Sequence, residues 1–165
     1  MASRPLAVFD IDGVVADVRH RLRYVERRPK DWDAFFDAAR DDPPHAEGVA
    51  LVKEHVEAGH DVVYLTGRPE RCRRDTERWL DEHGIGGFPV HMRPSNDRRP
   101  AAVVKVAKLA ALAEEREVVV VVDDDDLVVE ALRRSGWPVL HADWESREAE
   151  QQATLLQAQE VEGRS

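Results

Sequence analysis

The chain has one cysteine, Cys72, so it can close no internal disulfide, and this usage suits a reducing compartment. No apolar run approaches the roughly 18 residues that a membrane helix needs, and no apolar leader opens the sequence. The expected location is cytoplasmic, away from membranes. The seven histidines fall at no zinc-ligand spacing and read as surface or loop residues. Positive charge is in deficit: 24 Lys and Arg face 33 Asp and Glu, a net charge of −9. Proteins that track long nucleic acid through its phosphates carry a basic surplus. No extended nucleic-acid surface is therefore expected, and any such contact is confined to the mouth of a site. A Gly-x-x-x-x-Gly-Lys loop ending in Ser or Thr is missing, so no P-loop kinase half is expected. There is no internal repeat, and 165 residues suffice for one domain with a real core.

What is present begins with residues 7–14, Ala-Val-Phe-Asp-Ile-Asp-Gly-Val. An apolar strand runs into Asp10 and Asp12, which share a side if the strand continues. Gly13 directly after them marks a bend where a ligand can approach the backbone. Two crowded carboxylates repel unless a cation sits between them or one keeps its proton, which suits a nucleophile beside an acid/base. Taken alone, Asp12-Gly13 reads equally well as a turn.

Three later segments share that logic. Residues 61–69 form an apolar run ending in Thr66-Gly67-Arg68-Pro69. Thr66 can donate to a phosphate oxygen, Gly67 lets the backbone come close, and Arg68 offers a planar cationic fork; Pro69 is expected to open a helix. Residues 99–116 are rich in helix formers. Val103, Val106, Ala110 and Ala113 are expected to form the buried face, widened by Ala107 and Leu109, with Lys105 and Lys108 one turn apart. Residues 118–122 are five valines, read as a strand buried on both faces, followed by Asp123 to Asp126. A cap on the next helix accounts for Asp125 or Asp126. Asp123 and Asp124 adjoin the buried strand, and a hard cation bound by carboxylate oxygens explains them better.

The order Asp-x-Asp-Gly, strand–Thr, helical Lys, strand–Asp-Asp resembles the haloacid dehalogenase superfamily of phosphotransferases over roughly residues 5–145. Finer features resemble the phosphatase domain of the polynucleotide kinase–phosphatase group: His20-Arg21, Thr66-Gly67-Arg68, Met92-Arg93-Pro94, residues 97–100 and Val128-Val129-Glu130. The chain departs from that pattern at Ala101, where members often carry an acid, and at Val14, where threonine is common. The resemblance implies Mg²⁺-dependent phosphomonoester hydrolysis through an aspartyl-phosphate. Asp10 is then the nucleophile, Asp12 the acid/base, and Thr66 and Lys105 hold the phosphate oxygens. It implies Mg²⁺ on Asp10, the Asp12 carbonyl, and Asp123 or Asp124. Arg21, Gly67, Arg68 and Arg98 adjoin these motifs and are expected to meet the substrate, a 3′-phosphate on a nucleic-acid end or nucleotide. The alternatives are a small metabolite or 5′-nucleotide as substrate and, from another class, a phospho-accepting receiver module.

Strands at 5–10, 61–66, 90–92, 117–122 and 138–141 alternate with helices at 47–58, 70–83, 99–116 and 127–135. This is an α/β pattern: a doubly wound parallel sheet with helices on both faces. Residues 18–44, with helices at 18–27 and 31–40, exceed what a crossover needs and read as a minimal helical lid whose aromatic residues pack it onto the body. Residues 1–145 make the domain, and 146–165 a polar terminal helix or tail frayed near Gly163.

Overall fold

Each apolar run pairs with its neighbours as a strand. In the computed structural model, which describes residues 3–161, these are β1 (Leu6–Phe9), β2 (Asp61–Pro69), β3 (Val90–Arg93), β4 (Val118–Asp123) and β5 (Val139–His141). All pairs are parallel, in the order β3-β2-β1-β4-β5. Receiver-type sheets run 2-1-3-4-5, so the order separates this chain from that class.

Alternation along the strands sends side chains into two cores. Phe9 and Tyr64 pack on one face with Val52 of α3 (Ala46–Glu57), Trp79 of α4 (Arg73–Glu82) and Trp144 of α7 (Trp144–Val161). Leu6, Val8 and Leu65 pack on the other with Leu109 of α5 (Ala101–Ala113) and Leu132 of α6 (Asp126–Arg134). Helices thus cover both faces, as the doubly wound pattern requires.

Several boundaries differ from the sequence reading. Pro69 ends β2 in extended conformation and does not open a helix; a 3-10 turn at Glu70–Cys72 intervenes before α4. A residue before proline is biased towards extended backbone, which carries the strand through Arg68. The buried stripe of α5 is centred on Lys105 and Leu109, while Val103 is half exposed and Ala110 is exposed. β4 lies between β1 and β5, but only Val121 to Asp123 are fully buried; Val118 to Val120 are half-buried.

The segment expected as a lid is more broken than the sequence reading had it. It comprises a 3-10 turn at Arg19–Arg21, α1 (Arg23–Glu26), α2 (Trp32–Asp37) capped by Asp31, and a second 3-10 turn at Ala38–Asp41. Of its aromatic residues only Phe35 is buried, and Trp32 is exposed. α7 is helical through Val161 and exposed from Arg147 to Glu160; Gly163 lies outside the described residues. Among the described residues no helix is long and apolar enough to cross a membrane.

Candidate active site

Parallel strands bring their carboxyl ends to one edge, where open α/β sheets bind ligands. Asp10 stands one residue beyond β1, its backbone amide still donating to the Val122 carbonyl at 2.9 Å. Its Oδ1 accepts from the Ile11 amide at 2.8 Å, and its Oδ2 lies 3.2 Å from Lys105 Nζ. Lys105 reaches the same edge from α5 and donates to Asp123 Oδ2 at 2.5 Å. The other Asp123 oxygen accepts from the Asp125 amide, and Asp125 caps α6 through the amides of Leu127 and Val128. Asp123 is therefore fixed at both oxygens.

Asp124 comes from the next position and faces the bend after β1. Gly13 has φ +78°, and a Cβ there would stand 1.9 Å from Asp124 Oδ2. Glycine is thus required twice over, for the left-handed backbone and for the approach of that carboxylate. Asp10, Asp123 and Asp124 each offer an oxygen within 4.8 Å of the others.

The electrostatics of this trio are one-sided. Burial pushes Asp10 up to about 7; Lys105 opposes the rise, and the Asp123 and Asp12 carboxylates add to it. Burial, then Asp10 and Asp123, push Asp124 up to about 9. One ammonium, bonded to Asp10 and Asp123, serves a cluster of two buried carboxylates and one half-buried one. A hard divalent cation on oxygen ligands would relieve the excess, so the donor set fits one.

Asp12 sits in the opposite field. Its Oδ1 accepts from Arg21 Nη2 at 2.9 Å and from Arg68 Nε and Nη2 at 2.9 and 2.6 Å. Burial raises this carboxyl, but the Arg68 and Arg21 guanidiniums outweigh it and hold it below the usual carboxylate range. The side chains of Asp10 and Asp12 thus serve separate surroundings: one beside an ammonium, the other on two guanidiniums.

Arg21 and Arg68, expected at the substrate, are instead buried beneath Asp12. A second carboxylate, Asp42, holds them from below. It takes Arg21 Nε and Nη2 at 2.8 and 2.9 Å and Arg68 Nη2 at 3.3 Å. Arg68 Nη1 donates to Thr76 Oγ1, so all three of its guanidinium nitrogens are engaged within the protein. Arg21 also stacks 4.3 Å over the Phe35 ring. No buried side-chain polar atom among the described residues lacks a partner. The sequence reading missed Asp42, which in the run Asp41-Asp42-Pro43-Pro44 carries no mark distinguishing it from its exposed neighbour. It also missed His45, which is buried with Nε2 2.6 Å from Glu145 Oε1, near Asp17.

Thr66 is buried at the end of β2, its Oγ1 accepting from the Arg68 amide at 3.1 Å. Gly67 is exposed, and a Cβ there would meet nothing within 4 Å. Beside Thr66 and Lys105 a cavity of about 430 Å³ opens between β3 and α5. Arg98 is exposed and does not line it; Arg93 and Arg99 do.

Known proteins share this frame. The chain is 26% identical to a protein in the structure of the Pnkp1/Rnl/Hen1 RNA repair complex, with a TM-score of 0.67 over 85% of this chain and 44% of that one. It therefore spans less than half the length of that relative. The class C acid phosphatase of Bacillus anthracis has the same fold at 15% identity, with a TM-score of 0.61 over 82% of this chain and 63% of that one. So does a haloacid dehalogenase-like hydrolase of Streptococcus pneumoniae, at 13% identity and a TM-score of 0.54 over 86% and 85%. No curated protein is similar enough in sequence to count as a relative. The family described as the polynucleotide kinase PNKP phosphatase domain matches residues 5–145. That span takes in every strand of the sheet and the whole edge from Asp10 to Asp124, and the chain belongs to this family of haloacid dehalogenase-type phosphatases.

Proposed function

We propose that this chain hydrolyses phosphomonoesters through an aspartyl-phosphate on Asp10, acting on a 3′-phosphate at a nucleic-acid end or on a nucleotide. The observation that carries the reading is the division of labour between two aspartates two residues apart. Asp10 is buried at the edge with one oxygen beside Lys105, while Asp12, the more exposed of the two, is held on Arg21 and Arg68. An Asp10 oxygen forms a bond to phosphorus as the bond to the leaving oxygen breaks, and Asp12 gives that oxygen a proton. Water then attacks the acyl phosphate, Asp12 takes its proton, and the bond from Asp10 to phosphorus breaks to release inorganic phosphate. Thr66 and Lys105 hold the equatorial oxygens where negative charge spreads in the transition state.

Mg²⁺ would be held by Asp10, the Asp12 carbonyl and Asp124. Asp123 is the weaker candidate for direct contact because Lys105 and the Asp125 amide already take its oxygens. When bound, the ion neutralises charge as carboxylate and phosphate approach. Arg21 and Arg68 are positioning residues, acting on substrate through Asp12.

The test is phosphate release from a 3′-phosphorylated mononucleotide, a dinucleotide and a long strand, each with Mg²⁺ and with chelator. Comparable kcat/KM for all three with Mg²⁺, and loss with chelator, is the expected result, because a chain of net charge −9 offers no track for further phosphates. Turnover of metabolite phosphates alone would reject the 3′-phosphate reading, and turnover in chelator would reject the metal.

The lowered Asp12 carboxyl gives a pH signature. Its protonated form, needed for an alcohol leaving group, grows as pH falls; its ionised form, needed to activate water, dominates at neutral pH. The ratio of alkyl phosphate to p-nitrophenyl phosphate turnover should therefore rise from about pH 8 to about pH 5, since nitrophenolate needs no proton. A flat ratio would remove Asp12 from the acid role.

A further inference from the structure

The organic part of a phosphomonoester needs a seat, and the crossing of α5 leaves one. α5 packs through Leu109 onto the Leu6 and Val8 face, and the cavity of about 430 Å³ remains between it and β3. This lies within the range of small-molecule sites, roughly 300–1,000 Å³. Thr66, Gly67 and Lys105 line it, so it is continuous with the phosphate position proposed above. Leu65 and Val104 give it apolar walls; Val90 and Met92 border it from β3 but pack into the core on the other face of the sheet. A flat heterocycle can lie against the apolar part of the wall, and the polar lining residues can meet sugar hydroxyls.

The rim reverses the charge of the protein. Arg73 is taken up by Glu70 and Glu77 and Arg99 by Asp97, which leaves Arg93 and Lys108 as the lining cations with no carboxylate partner among the described residues, in a chain with an overall acidic surplus. Such a rim attracts an anionic ligand. His91 lines the cavity as well. Partial burial, Lys108 and Arg73 hold its ring below the usual histidine range and thus neutral, able to donate at one nitrogen and accept at the other.

We propose that the cavity between β3 and α5 is the nucleoside subsite, its apolar walls taking the base, His91 offering hydrogen bonds to the base edge, and the cationic rim drawing in the nucleotide. This rests on the phosphomonoesterase reading, and it makes Val104 and His91 determinants of specificity.

Two measurements on the whole protein separate this proposal from the reading beneath it. The first is calorimetric binding of adenosine, which carries no phosphate and needs no turnover. Roughly millimolar binding is expected, weakened at least tenfold in Val104→Trp, which fills the cavity. Ala107→Phe, on the exposed side of α5 and also lining the cavity, repeats the test without burdening the core. Absence of adenosine binding, or undiminished binding in both variants, overturns the subsite. The second is the ratio of kcat/KM for adenosine 3′-phosphate over glycerol 2-phosphate, a secondary-alcohol monoester with no ring. The ratio should be large in the parent protein and fall at least tenfold in the filled variants. Equal turnover of both esters by the parent overturns the subsite and leaves the phosphatase standing. Adenosine binding with turnover of neither ester overturns the phosphatase reading instead.

Discussion

Asp10→Asn should lower kcat by roughly 10³-fold or more while the metal-free protein becomes harder to unfold. The amide is nearly isosteric but cannot carry the phosphoryl group, and loss of a covalent nucleophile is expected at that scale. A thousandfold corresponds to about 4 kcal/mol of barrier. The stability change has the opposite sign. Burial and the neighbouring carboxylates raise Asp10 to about 7, so the folded state keeps a proton there that the unfolded chain has lost above about pH 4. Stability falls as pH rises between those values, and the asparagine escapes that loss, worth up to a few kcal/mol above pH 7. Calorimetry in chelator checks the second half, and steady-state kinetics with Mg²⁺ the first. Near-normal turnover in a folded variant would reject the covalent route; an inactive variant with unchanged stability at high pH would reject the picture of a charge-starved site.

Asp42→Ala should destabilise the protein by about 3–5 kcal/mol, the usual result of removing one partner from a buried ion pair. Asp42 has no exposed side-chain surface and takes two bonds from Arg21 and one from Arg68; His20 Nε2 lies 2.6 Å from its Oδ1. Without it, Asp12 is the one carboxylate left to both guanidiniums among the described residues. Activity should fall as well, because Arg21 and Arg68 aim that carboxylate. Arg21→Met combined with Asp42→Met should restore much of the stability, since an apolar replacement of a whole buried pair is often neutral, yet leave turnover low. Thermal unfolding and kinetics on both variants check this. If the double variant regained full activity, Arg21 would have no positioning role.

The sheet was legible because buried parallel strands are written as apolar runs, and Val118 to Val122 could be little else. The site edge was legible because acids and a hydroxyl at strand ends are costly unless used. What sequence concealed was the direction of charged side chains. The face of α5 was misplaced because its buried stripe has Lys105 at its centre, and a hydropathy reading turns a helix so that lysine faces water. Arg21 and Arg68 look like surface cations beside a motif. Only the folded chain brings Asp42, distant from Arg68 in sequence, to lie across from both. His45 was taken for a surface residue for the same reason, since its partner Glu145 lies far along the chain.

The salt-bridged floor under Asp12 also bears on motion. Its members come from the start of the lid at Arg21, its end at Asp42 and the end of β2 at Arg68, and Trp79 Nε1 fastens the Asp42 carbonyl to α4 at 2.9 Å. Swinging the lid aside would part Arg21 from Asp12 and Arg68 from Asp42, separating buried charges from their counter-ions. Its junction at Asp42 is thus riveted, with no hinge to serve a gate. Backbone amides there, such as that of Asp42, which donates to Ala39, should exchange with solvent only when the whole domain unfolds. Substrate would then enter an edge that stands permanently open, and no loop closure would set the turnover rate.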